Sequence, residues 1–168
     1  VYGPYSLRAT DDSAIIAWEE EQVWTDELRH VEVIVTDLTP ATEYFYRVNG
    51  APEDGRFLTA PEDNSPFNFL IWSDSRTGVD VSTQIAAQMI SRAPDASFAL
   101  HAGDLVMNGD REECREEEWW TPMNTLLLHC PVYPAMGNHE EDSEFYYRYF
   151  SSLGGNGTNY SFDWGTTH

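Results

Sequence analysis

The sequence predicts a mixed fold of the α+β and α/β kind: a small antiparallel β-sandwich, then a βαβαβ unit whose strands share one sheet. Three observations carry this. The first sixty residues hold short apolar or alternating runs broken by Pro40 and Asn49-Gly50, the pattern of antiparallel strands. A stretch of prolines and small polar residues, "APEDNSP" over 60–66, then changes the texture and reads as a linker. Beyond it, near-continuous apolar runs alternate with helix-period segments, which requires a sheet with helices on its faces. The implied boundaries are a β domain over 1–59, a linker over 60–66 and a second domain over 67–168.

In the first domain the strands are "SAIIAW" (13–18), "HVEVIV" (30–35) with Val31, Val33 and Val35 on one face, and "TEYFYRV" (42–48) with Tyr44, Tyr46 and Val48 together. In the second, "FNFLIWSD" (67–74) reads as a strand covered on both faces. "VSTQIAAQMISR" (81–92) is helical, with Ile85 and Met89, and Ala86 and Ile90, four apart. "ASFALHAGD" (96–104) is a second buried strand. "REEEWWTPMNTLLLH" (115–129) is a helix with acids in its first turn and Pro122 as the place for a kink. "PVYPAM" (131–136) is the third strand, followed by an aromatic helix "SEFYYRYF" (143–150), a Gly-rich loop and the start of another strand in "NYSFDWGTTH". The helix between Cys114 and Cys130 would hold its ends roughly 20 Å apart, beyond the ~7 Å reach of a disulfide, so these cysteines are expected to be unbonded.

Composition bounds the function. In 168 residues, 41% are hydrophobic and 14% aromatic, enough for a packed core. Acidic residues number 29 and basic ones 9, all Arg, for a formal net charge of −20. Such a surface repels nucleic acid and anionic membranes. It suits an extracellular, cell-surface or periplasmic setting, or a saline one in which screening relieves self-repulsion; an acid-rich genome would leave the same signature. No run approaches membrane-span length. Self-assembly stays among the permitted partners. Two sequons, at Asn156 and Asn159, lie in the Gly-rich loop.

All three strands of the second domain end in residues that can bind metal: Asp74 in "SDSR", Asp104 in "GDL", Asn138 and His139 in "GNHE". In open α/β sheets ligands gather beyond the carboxyl ends of the strands. Two carboxylates, an amide oxygen and an imidazole are donors for hard or borderline metals, and a carboxylate can bridge a pair of them.

The set "SDSRTG … HAGDLVMNG … YPAMGNHE" resembles the metallophosphoesterase (calcineurin-like) superfamily. The upstream "SAIIAWEE … LTPATEYFYRV … FLTAP" is similar to the fibronectin-III-like domain that precedes the catalytic domain of purple acid phosphatases, here shortened, with Tyr44 the candidate for its corner tyrosine. The resemblance implies metal-dependent hydrolysis of small phosphate esters by a binuclear site of Fe, Zn or Mn. Asp74 would bind the first metal, Asp104 would bridge both, Asn138 would bind the second, and His139 would serve as hydrogen-bond donor or general acid at the substrate phosphate. Arg76 would clamp a phosphate oxygen.

This sequence departs from the family pattern at three places. Met107 stands where purple acid phosphatases carry a tyrosinate ligand, so no purple colour is expected. Arg76 stands where many superfamily members carry a histidine. The histidine ligands drawn from later segments are not in these 168 residues, and His168 is not counted as one. The expectation is of an N-terminal part of a longer enzyme that binds metal weakly alone. The alternative is a non-catalytic structural or assembly module that kept the fold.

Overall fold

A computed structural model describes residues 2–21, 28–140, 143–155 and 159–168. Three sheets organise them. β1 (Tyr2–Ala9), β2 (Ala14–Glu21) and β3 (Leu28–Val35) form an antiparallel sheet in that order, and β4 (Glu43–Tyr46) pairs antiparallel with β5 (Gly55–Leu58). β6 (Phe69–Trp72), β7 (Phe98–His101) and β8 (Val132–Pro134) form a parallel sheet in sequence order. α1 (Val79–Arg92) connects β6 to β7; α2 (Glu112–Arg115), a π turn over Glu116–Trp120 and α3 (Thr121–Leu127) connect β7 to β8. α4 (Glu144–Phe150) follows, N-capped by Ser143, whose side chain accepts the Tyr146 N–H.

The predicted strands and helices up to residue 150 are present in their predicted order, with shifted ends. β1 and β5 are the strands that the sequence did not predict. Gly3 and Pro4 break the apolar run of β1, and Ser6 on it is fully buried, so no clean alternation survives. The segment 22–27 lies outside the described residues. Val33 and Val35 share a face of β3 as the alternation predicts, and both are exposed, as is Ile34 between them. β6 differs from expectation. Its run is continuously apolar, but Phe69 and Ile71 are 48% and 64% exposed, while Leu70 and Trp72 pack against the core. No described element covers the Phe69–Ile71 face. The end of the chain forms only an isolated bridge, Trp164 to Thr167, not a strand.

The helix expected over 115–129 is three pieces in line, beginning at Glu112 and ending at Leu127. Proline explains the interruption. Pro122 lacks an N–H and its ring crowds the preceding turn. The backbone widens there, and the Thr121 N–H bonds the Glu116 carbonyl five residues back. Trp119, Trp120 and Met123 are buried by this arrangement. Cys114 and Cys130 are both free, and burial pushes the Cys130 thiol up to about 12.

One apolar cluster runs through all three sheets. At its centre Tyr133 of β8 reaches across to β1: its hydroxyl accepts the Ala9 N–H at 3.2 Å and donates to the Ala9 carbonyl at 3.1 Å. Tyr5 of β1 packs on Trp120, ring centroids 4.7 Å apart. The Tyr44 hydroxyl accepts the Thr39 N–H at 2.8 Å.

Candidate functional site

The parallel sheet ends level. Trp72 pairs with His101, and His101 with Pro134. The chain therefore leaves all three strands at one rim, and Asp74, Asp104, Asn138 and His139 follow within a few residues. Backbone bonds hold the exits together: the Asp74 N–H donates to the Gly103 carbonyl at 3.1 Å. Gly103 and Gly137 allow close approach, since a Cβ on Gly103 would sit 2.9 Å from the Gly137 Cα.

Asp74 and Asp104 are both left-handed, with φ of 54° and 61°. Non-glycine residues adopt this region at a conformational cost and concentrate there at functional sites. The cost is offset by specific contacts. The Asp104 Oδ1 accepts the His139 N–H at 3.2 Å. Its Oδ2 accepts from Arg76 Nη1 at 2.5 Å, and the same Nη1 donates to Asp74 Oδ1 at 2.7 Å. One cationic nitrogen thus sits between the two carboxylates. Hydrogen bonds from Ser73 and Arg76 hold Asp74 below the usual carboxylate range. Asn138 is exposed, on the turn between Gly137 and His139, both of which touch Asp104.

His139 is half-exposed, and its Nδ1 lies 2.8 Å from the Met107 carbonyl. A carbonyl only accepts, so Nδ1 carries the proton and Nε2 is the nitrogen left for chemistry. Met107, where a tyrosinate ligand was looked for, presents backbone: besides that carbonyl, its N–H donates to Glu118 Oε2 at 2.6 Å.

Two residues that organise the site were missed in the sequence. Glu140 is 1% exposed, and its carboxylate accepts the N–H groups of Asp104 at 3.1 Å, Leu105 at 2.7 Å, Val106 at 3.3 Å and Gly137 at 2.5 Å. It ties the turn after β7 to the turn after β8. The signal was its place directly after Asn138 and His139. His101, the last residue of β7, is buried between the Trp72 and Trp119 rings. Its Nδ1 accepts the Gly103 N–H at 3.2 Å, so Nε2 carries the proton and donates to Ser75 Oγ at 3.0 Å.

Burial lowers the His101 pKa to about 4, against the pull of the Asp74 and Asp104 charges. The unfolded chain therefore binds a proton there that the folded chain refuses between pH 6.5 and about 4. Stability from this group is complete above pH 6.5 and is lost as pH falls through that window, by about 3 kcal/mol in all. Urea melts at pH 7 and pH 4 should show the wild type losing about that much more than His101→Gln; parallel losses would remove the assignment.

The donor set fits a metal. Carboxylate, amide and imidazole groups are donors for metal ions, and the position between Asp74 and Asp104 already accommodates a cationic group, the Arg76 guanidinium. No cluster of three His, Cys, Asp or Glu gathers among the described residues.

The family profile described as "Metallophos: Calcineurin-like phosphoesterase" matches residues 81–167, more than half the chain. The chain belongs to this family. Among solved structures, the chain is similar to purple acid phosphatase PPD1 from yellow lupin (Lupinus luteus) seeds, with a TM-score of 0.62 and 15% identity over 82% of this chain and 35% of that one. It is also similar to PhoD, with a TM-score of 0.63 and 12% identity over 97% of this chain and 49% of that one. The chain thus spans half or less of either structure. No curated protein matches its sequence. Among the described residues no helix is long and apolar enough to cross a membrane.

Proposed function

We propose that the protein hydrolyses small phosphate esters at a metal centre of the purple-acid-phosphatase type, on the rim formed by the ends of β6, β7 and β8. The single cation position shared by Asp74 and Asp104 carries this reading. Asp74, Asp104 and Asn138 would hold metal, with Asp104 the bridging ligand of a pair. Such a pair supplies Lewis-acid stabilisation of the phosphoryl oxygens and lowers the pKa of water.

The chain's own residues do the rest. Glu140 fixes the Asp104 and Gly137 turns. His139, its Nδ1–H held by the Met107 carbonyl, would act in its imidazolium form: Nε2 gives its proton to the leaving oxygen as the P–O bond breaks and a water oxygen bonds to phosphorus, and the proton that this water loses restores the imidazolium. Arg76 provides planar donors for a phosphate oxygen. The surface charge of −20 supports an extracellular, cell-surface or periplasmic setting and disfavours nucleic acid as substrate. The two N-terminal sheets form, in this reading, a reduced fibronectin-III-like unit over 1–59 that precedes the catalytic unit over 67–168.

The test is metal analysis joined to a generic aryl phosphate assay. In the full-length protein, Asp104→Asn should remove bound metal and lower turnover by at least about 100-fold. Metal content and rate unchanged by this substitution would overturn the proposal.

A further inference from the structure

The loop after β6 curls tightly. Asp74, Thr77 and Gly78 all have left-handed φ, of 54°, 59° and 59°, so the chain turns back on itself within five residues. This brings the Arg76 side chain over the ends of both β6 and β7. Its Nη1 lies 2.7 Å from Asp74 Oδ1 and 2.5 Å from Asp104 Oδ2. A metal bound by the same two oxygens would sit about 2.0–2.6 Å from each, in the space the guanidinium nitrogen fills. Both cations cannot be there at once.

We infer that Arg76 is a built-in competitor for the metal position between Asp74 and Asp104. The guanidinium keeps the two carboxylates together and neutralises part of their mutual repulsion while no metal is bound. It must leave for a metal to bind, and this lowers the apparent metal affinity. The displaced guanidinium remains tethered two residues from Asp74, on the same rim, with its donors released for an anion. The inference rests on the metal site proposed above. It concerns what Arg76 does before substrate arrives.

Mn(II) alone is the probe, titrated at low ionic strength while the resonance signal of free Mn(II) is followed. Arg76→Gln removes the charge and should bind Mn(II) at least tenfold more tightly than the wild type. Arg76→Lys keeps a charge but has a shorter, more strongly hydrated head, and should fall between the two. Asp104→Asn, added to each background, should abolish the binding. Equal or weaker binding by Arg76→Gln, with the Asp104 dependence intact, overturns the inference and leaves the metal-site reading standing. No Asp104-dependent binding in either the wild type or Arg76→Gln overturns both. If Arg76→Gln does not fold, Arg76→Lys decides: affinity several-fold above wild type supports the inference, and equal affinity ends it.

Discussion

Glu140→Ala is expected to be among the most destabilising single substitutions in the chain. Its carboxylate accepts four backbone N–H groups in a setting where it is 1% exposed. Truncation strands buried donors at about 1–3 kcal/mol each, with partial rescue by water. A net loss of about 3–5 kcal/mol is the scale seen when one partner of a buried charged contact is removed, and it corresponds to roughly 10–15 °C in Tm for a chain of this size. Glu140→Gln keeps one acceptor oxygen and should fall between. Thermal melts followed by circular dichroism measure this. A Tm within a few degrees of wild type would mean that the two turns hold themselves without the clamp.

Gly137→Ala should act on the site more than on the fold. A Cβ at 137 would lie 2.2 Å from both the backbone nitrogen and the Oδ1 of Asp104, far inside contact distance. The backbone after β7 or β8 must shift to admit it, and Asp104 moves in either case. Overpacking of this kind costs about 1–3 kcal/mol. Displacement of a site residue by an ångström costs about 100-fold, and Asp104-dependent Mn(II) affinity should fall by that order. Gly78→Ala is the control. Its φ of 59° is unfavourable for alanine, but the nearest atom to a new Cβ is Val81 Cβ at 3.9 Å, so about 1 kcal/mol is expected with little change in metal affinity.

The strand exits were legible because each ends an apolar run with a polar, metal-competent residue, and the order Asp74, Asp104, Asn138 survives without any contact information. What held them was not legible. Glu140 reads as one acid among 29; only the fold shows four donors converging on it. His101 lies inside an apolar run, and its role depends on Ser75 and Gly103, which the folded backbone brings to its two nitrogens. Arg76 was read as a phosphate clamp, and its contact with Asp104 spans 28 residues. β1 was lost because Gly3, Pro4 and Ser6 break the alternation, while tertiary packing buries them or their neighbours regardless. The Phe69–Ile71 face shows the reverse error: an apolar sequence predicts burial but cannot name what would cover it.

The Tyr133–Ala9 contact joins residues 124 positions apart. On a ribosome, β1 emerges before β8 and can pair with β2 at once, but its other neighbour exists only after the residues between them have been made. Closure of so distant a seam is slow, because loop entropy opposes it until the contact forms. Asn138 and His139 lie only four and five residues past Pro134, at the end of the strand that Tyr133 anchors. The order of synthesis therefore places the anchoring of β8, and of the turn that carries Asn138 and His139, after the β1–β2 pair can already have formed.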